Sequence, residues 1–178
     1  MINRKLIKIA VVGPESTGKS TLTKQLAQHY SVPYVLEYAR EYLENLIRPY
    51  TLEDIISISK RQLELEREAI LASSRILFCD TNLLVSKIWA ENAFKSCPEF
   101  IAKNWIAADY RLHLLMQVDL PWEYDSQREH PHLRKFFFDW YERELKAAKA
   151  NYSIISGNQE ERLLDAIKAV DELLYSGS

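Results

Sequence analysis

Glycine is scarce in this chain, with four in 178 residues. That count excludes a collagen-like repeat or a glycine-rich linker, and no internal repeat or low-complexity segment appears. Cysteine is scarcer still. Cys79 lies inside an apolar run and Cys97 precedes Pro98, too few and too far apart for a disulfide framework or a zinc cluster. Both read as reduced thiols of a cytoplasmic protein. No apolar stretch approaches the roughly 18 residues of a membrane span, and Met1 to Lys8 lacks the apolar core of a signal peptide. An excess of one charge is missing too. With 23 Lys and Arg against 25 Asp and Glu, the net charge is -2, which leaves no electrostatic footprint for nucleic acid. Neither a membrane nor a nucleic acid is an expected partner, and the oligomeric state cannot be read. Apolar residues, by contrast, make up 47%, enough for one domain over residues 1–178 with its own core.

Two of the four glycines stand close together, in Gly13-Pro14-Glu15-Ser16-Thr17-Gly18-Lys19-Ser20. This stretch fits G-x-x-x-x-G-K-[ST] and directly follows the apolar run Leu6 to Val12. A phosphate-binding loop needs small residues so that successive backbone N–H groups can converge on phosphates. It also needs a lysine that reaches the β- and γ-phosphates and a hydroxyl for Mg²⁺. All are present. The expected ATP contacts are therefore Gly13, Glu15, Ser16, Thr17, Gly18, Lys19, Ser20 and Thr21.

Along the chain, short β-rich runs alternate with helical patterns, the signature of an α/β domain with a largely parallel sheet. Strands are expected at Leu6–Val12, Pro33–Glu37, Ile76–Asp80, Arg111–Val118 and Tyr152–Ser156. Helices are expected at Gly18–His29, from Thr51 to about Ser73, at Thr81–Phe94, Pro98–Tyr110 and Pro131–Ala150, and after Asn158. Leu52, Ile56, Leu63 and Ile70 trace an apolar stripe on the second of these, with Lys60, Arg61, Glu64, Glu66, Arg67 and Glu68 on a solvated face. Leu133, Phe137, Trp140 and Leu145 are expected to point inward from the helix after Pro131. Leu163, Ile167, Val170 and Leu174 form the stripe of the last helix. Trp89 and Trp105 read as core or groove-wall residues.

The polar groups suit phosphoryl transfer, in which the protein mainly positions the reactants and neutralises charge. Asp80 closes an apolar strand, as a Walker B carboxylate does, and with Ser20 it is the expected Mg²⁺ ligand. Lys19 neutralises phosphate charge. Arg128, then Arg134, is the candidate cation from a mobile basic segment that also carries His130, His132 and Lys135. Glu37 or Asp80, each at a strand's carboxyl end, is the candidate base for an acceptor hydroxyl. Trp122, Glu123, Tyr124 and Asp125 form an aromatic and acidic cluster, and Tyr38 offers a further aromatic face unless it packs with Tyr42 beneath the first helix.

The segments GPESTGKS (Gly13 to Ser20), EYARE (Glu37 to Glu41), ILFCDT (Ile76 to Thr81) and the stretch with Trp122, Asp125 and Arg128 resemble the ribosylnicotinamide kinase domain of NadR-type NAD-biosynthesis proteins. The resemblance covers about residues 5 to 174. It implies a nucleoside-kinase-like P-loop fold with a five-stranded parallel sheet and a helical lid over about residues 119–135. It also implies use of ATP and Mg²⁺, and phosphorylation of the 5′-hydroxyl of nicotinamide riboside to give nicotinamide mononucleotide. A cationic pyridinium ring is attracted to aromatic faces and carboxylates, so Tyr38, Trp122 and Asp125 are the expected riboside contacts, with Asp125 or Arg40 on the ribose hydroxyls. A kinase for another small nucleoside or metabolite, or a nucleotide-dependent regulatory ATPase, would use the same loop. Longer members of that family carry an adenylyltransferase domain and sometimes a DNA-binding module ahead of the kinase. With the loop starting at Gly13, neither activity is expected of this chain. The short spacing around Asn45 to Thr51 is expected to alter the substrate wall.

Overall fold

The computed structural model describes residues 6–73 and 75–175, so the stretch from Met1, read as lacking a signal-peptide core, lies mostly outside them. Five parallel strands form one sheet: β1 (Ile7–Val12), β2 (Tyr34–Val35), β3 (Ile76–Asp80), β4 (Leu112–Met116) and β5 (Tyr152–Ile155), in the order β2-β3-β1-β4-β5. β3 and β4 are buried along their whole length. This is why they read as continuous apolar runs: a parallel strand is covered on both faces. Alternate residues of β1 feed two cores. Ile9 and Val11 pack with Leu22 and Leu26 of α1 (Lys19–Tyr30) and with Ala166 and Val170 of α7 (Gln159–Tyr175). Ala10 and Val12 face the opposite layer, with Leu84 and Ile88 of α4 (Leu83–Phe94) and Phe138 and Leu145 of α6 (Arg134–Ala147). The topology reverses at β1, so the loop after Val12 opens at the switch point where such sheets hold ligands.

Other elements differ from the sequence-based expectation. Glu37 to Glu41 is mostly helical: α2 runs Tyr38–Glu44, and β2 is only two residues long. In α3 (Leu52–Ala72) the capping box forms between Thr51 and Asp54, but the buried face is Asp54, Ile55, Ile58, Ser59, Gln62 and Glu66. The expected stripe of Leu52, Ile56, Leu63 and Ile70 lies to one side of it. The inward polar groups all have partners. Ser59 donates to the Ile55 carbonyl, and Gln62 bridges the Tyr38 N–H and the Leu36 carbonyl. Glu66, assigned above to a solvated face, is 1% exposed. It accepts from Lys8 Nζ at 3.0 Å and from the Tyr110 hydroxyl at 2.7 and 2.8 Å. A pattern count based on apolar residues is misled by a buried face whose polar groups are paired.

The region from Pro98 to Tyr110 holds a short helix, α5 (Glu99–Asn104), and one 3₁₀ turn at Ala107–Asp109. Leu133 precedes α6 and is 43% exposed, while Phe137, Phe138, Tyr141 and Leu145 are its buried residues. The segment before α6 contains turns but no helix, so the expected helical lid is an extended strap. Cys79 is buried and Cys97 half-buried, and both are free thiols. Among the described residues no helix is long and apolar enough to cross a membrane.

Candidate active site

At the switch point the backbone of the loop runs close against β4. A Cβ on Gly13 would lie 3.1 Å from the Met116 carbonyl oxygen, and Gly13 has φ +139. Gly18 precedes α1 with φ 78, in the left-handed region that glycine enters without steric cost. Two of the four glycines thus stand where a close approach or a left-handed backbone favours them. Ser16 also takes a left-handed φ of 55, a conformation that costs energy and is often found at ligand-gripping loops. The Thr17 hydroxyl and Lys19 Nζ both donate to the Pro14 carbonyl, at 2.8 and 2.9 Å.

Beneath the loop lies Arg162, from the first turns of α7 and 2% exposed. It donates to the carbonyls of Thr17 (2.5 Å), Gln117 (2.9 Å) and Gly157 (2.7 Å), and it is ion-paired with Asp119. Asp119 also accepts from the Gly157 N–H at 2.6 Å. A single guanidinium therefore ties the loop to the ends of β4 and β5, using the planar fork that lysine lacks.

Asp80, the last residue of β3, pairs in register with Val11 and is 1% exposed. Neither carboxylate oxygen has a fully formed hydrogen bond. Burial raises its pKa, while the adjacent Ser20 hydroxyl and Lys19 ammonium pull it down. A buried carboxylate without partners is costly unless a cation relieves it. Together with a hydroxyl, it offers the small set of hard oxygens that Mg²⁺ takes beside phosphate oxygens and water. These residues fit that ion. Among the described residues no cluster of three or more His, Cys, Asp or Glu is arranged to hold a metal.

Above the loop is a cavity of about 460 Å³. Glu37, at the start of α2, lines it, and burial raises this carboxyl to about 7 against the opposing pull of Lys19, with Asp80 adding to the rise. The strap between β4 and α6 covers the loop. The Glu15 carboxylate accepts from the N–H groups of Glu129 (3.1 Å) and His130 (3.3 Å), and the Ser16 hydroxyl accepts from the Glu123 N–H at 2.9 Å. Arg128 donates to the Glu123 carbonyl at 2.5 Å and lies 3.5 Å from the Ser16 hydroxyl. Arg134 donates to the carbonyls of Ser16 and Leu120, at 3.2 and 3.0 Å, and its Nε is buried without a partner.

Of the residues singled out from sequence, the structure gathers Gly13, Glu15, Ser16, Thr17, Gly18, Lys19, Ser20, Thr21, Glu37, Arg40, Arg128 and Arg134 around one cavity. Asp80 sits below it. Tyr38, Trp122 and Asp125 do not line it. Tyr38 packs edge-on to Tyr42, with ring centroids 6.1 Å apart, and its backbone N–H donates to Gln62 of α3. Trp122 lies 5.6 Å from the Arg134 guanidinium. Asp125 accepts from the Gln127 N–H and pairs with Arg40 at 2.9 Å, and both hold its pKa low. The cavity's aromatic lining comes instead from Tyr50, Trp89, Phe137 and Tyr141, of which Tyr50 and Trp89 meet edge to face at 4.9 Å. Tyr50 lies in the short connection flagged above as a change in the substrate wall. Arg162 had one signal in the sequence: it heads an i, i+4, i+8 line with Ala166 and Val170, an odd place for a charge unless it is paired.

A family model described as an AAA domain matches residues 8–162. The trifunctional NAD biosynthesis/regulator protein NadR of Salmonella typhimurium is 24% identical over 126 residues, covering 67% of this chain and 30% of that protein. The chain thus spans under a third of its relative's length. Two solved structures of NadR are similar, both 24% identical and matching 94% of this chain. One, in complex with NAD and AMP-PNP, has a TM-score of 0.72 over 49% of its own chain, and the other, in complex with NR, has 0.73 over 51%. Thymidylate kinase from Ehrlichia chaffeensis matches 92% of this chain and 98% of its own at a TM-score of 0.65 and 14% identity.

Proposed function

The chain belongs to the AAA domain family, whose model covers residues 8–162, and from that premise we propose that it transfers a phosphoryl group from ATP to the 5′-hydroxyl of nicotinamide riboside, giving nicotinamide mononucleotide. Its fold is that of the P-loop kinases. The finer reading takes support from NadR, whose structures hold NR in one case and NAD with AMP-PNP in the other. The observation that carries it is the cavity, whose lining extends beyond the phosphate loop to Tyr50 and Trp89. An ATPase that only hydrolyses its nucleotide has no need of that room.

In this reading the loop amides and Lys19 bind the ATP phosphates. Lys19 exchanges the Pro14 carbonyl for phosphate oxygens. Ser20 and Asp80 would hold Mg²⁺, which supplies positive charge to the phosphate oxygens when bound. Glu37 is the base that orients and takes the acceptor's proton, because it lines the cavity whereas Asp80 lies below it. Arg128 and Arg134 bring positive charge to the transferring group from the strap, which also excludes water as a competing acceptor. Arg40, fixed by Asp125, faces the riboside, and Trp122 stacks on Arg134 to hold the strap in place.

The test measures ATP consumption and product formation with nicotinamide riboside, with common nucleosides and with no acceptor. Mononucleotide formation with little acceptor-free turnover is expected. Turnover on another nucleoside alone would reassign the acceptor, and substantial turnover without one would point to a regulatory ATPase.

A further inference from the structure

The compartment beyond the loop has a particular charge balance. Arg48 lines it but is bound to Asp54 through both terminal nitrogens, at 2.6 and 2.9 Å, and Arg40 is paired with Asp125. Glu129 also lines it and has no lysine or arginine partner among the described residues. Its carboxylate accepts from the Tyr50 hydroxyl at 3.1 Å and lies 3.7 Å from His130 Nε2. Tyr50 is propped by rings on two sides, Trp89 at 4.9 Å and Phe94 at 6.0 Å. A carboxylate without a strong cation is therefore fixed to the hydroxyl of an aromatic pair. Aromatic faces attract cations through their quadrupole, by about 0.5–2 kcal/mol, and a nearby carboxylate adds to that attraction, whereas a neutral ring gains neither.

We propose that Tyr50 and Trp89 wall the acceptor's ring subsite and that Glu129 makes this subsite selective for a cationic heteroaromatic ring over a neutral one. The inference rests on the riboside-kinase reading above. The Glu15 carboxylate, by holding the backbone of Glu129 and His130, places this selector against the phosphate loop, so ring recognition and strap closure involve adjacent residues.

The experiment compares two acceptors of nearly equal size, nicotinamide riboside and its neutral, non-aromatic 1,4-dihydro form, with ATP and the full chain. The Glu129 variant isolates the part of the preference that is due to charge. The wild type is expected to favour the cationic riboside by about tenfold in kcat/KM. Glu129→Gln keeps a partner for the Tyr50 hydroxyl but removes the charge. It should reduce that ratio severalfold through the KM of the cationic riboside, with the KM for ATP within about twofold of wild type. Trp89→Leu should do the same, and Trp89→Phe, which keeps an aromatic face, should retain most of the preference and report on folding. An unchanged ratio in Glu129→Gln and Trp89→Leu overturns the inference, as does a wild type that uses both ribosides equally, and either result leaves the kinase reading intact. A wild type that phosphorylates neither riboside removes both.

Discussion

Lys19 and Glu37 carry different parts of the proposed chemistry and should fail differently. Lys19→Ala removes the charge nearest the phosphates and should lower kcat/KM by about a hundredfold or more. Glu37→Gln keeps the shape of the side chain and removes the base, so kcat should fall by about 10²- to 10⁴-fold while the KM for ATP changes little. Steady-state kinetics with ATP varied at saturating riboside separates the two, and a Glu37→Gln enzyme with wild-type kcat would send the base assignment elsewhere. Lys19 was legible in the sequence because the phosphate loop is contiguous, with every functional group within eight residues. Trp89 was legible as a core or groove-wall residue, but its pairing with Tyr50 was not, because the loop and the helix meet only in the fold. Trp122 shows the same limit from the other side: its neighbours in sequence suggested a pocket, whereas the neighbour that only the fold supplies is Arg134.

At the level of elements, the strap between β4 and α6 rests on the loop through few contacts, mostly to Glu15 and Ser16. Removing the Glu15 acceptor leaves two strap amides without it and should loosen the segment locally. Glu15→Ala is expected to speed hydrogen exchange over residues 120–133 severalfold and to raise ATP hydrolysis in the absence of riboside, since water reaches the site more readily. Unchanged exchange in that segment would show that the strap is held by other contacts. The strands were legible as apolar runs, and α7 as a stripe of which Val170 is buried while Leu163, Ile167 and Leu174 pack partly buried against the core. The inner face of α3 was not, because Gln62 and Glu66 are buried with partners that lie far away in sequence.

The whole molecule should respond to acid through His113. The ring is fully buried in β4, with Nε2 unpartnered and Nδ1 only 3.4 Å from the Asn151 carbonyl. Burial lowers its pKa to about 4, from an ordinary value of 6.5. Between those values the unfolded chain takes up a proton that the folded chain refuses. Stability should therefore fall as pH drops from about 6.5 toward 4, by up to roughly 3 kcal/mol from this group. Urea unfolding of wild type and His113→Leu at pH 7.5 and 4.5 tests this: the variant should lose less stability between the two, and equal losses would assign the acid sensitivity elsewhere. The parallel sheet was legible as a general architecture, but its strand order was not read. Neither was the junction beneath the loop, since its contacts are mostly to backbone carbonyls that no side-chain pattern records. The Arg162 clamp joins the phosphate loop to the ends of β4 and β5, three places that the polypeptide visits far apart. The last helix and nucleotide affinity therefore share one free-energy cycle: ATP should protect α7 against thermal unfolding although it need not touch that helix, and an Arg162→Lys protein that still folds should show a smaller melting-temperature rise at saturating nucleotide.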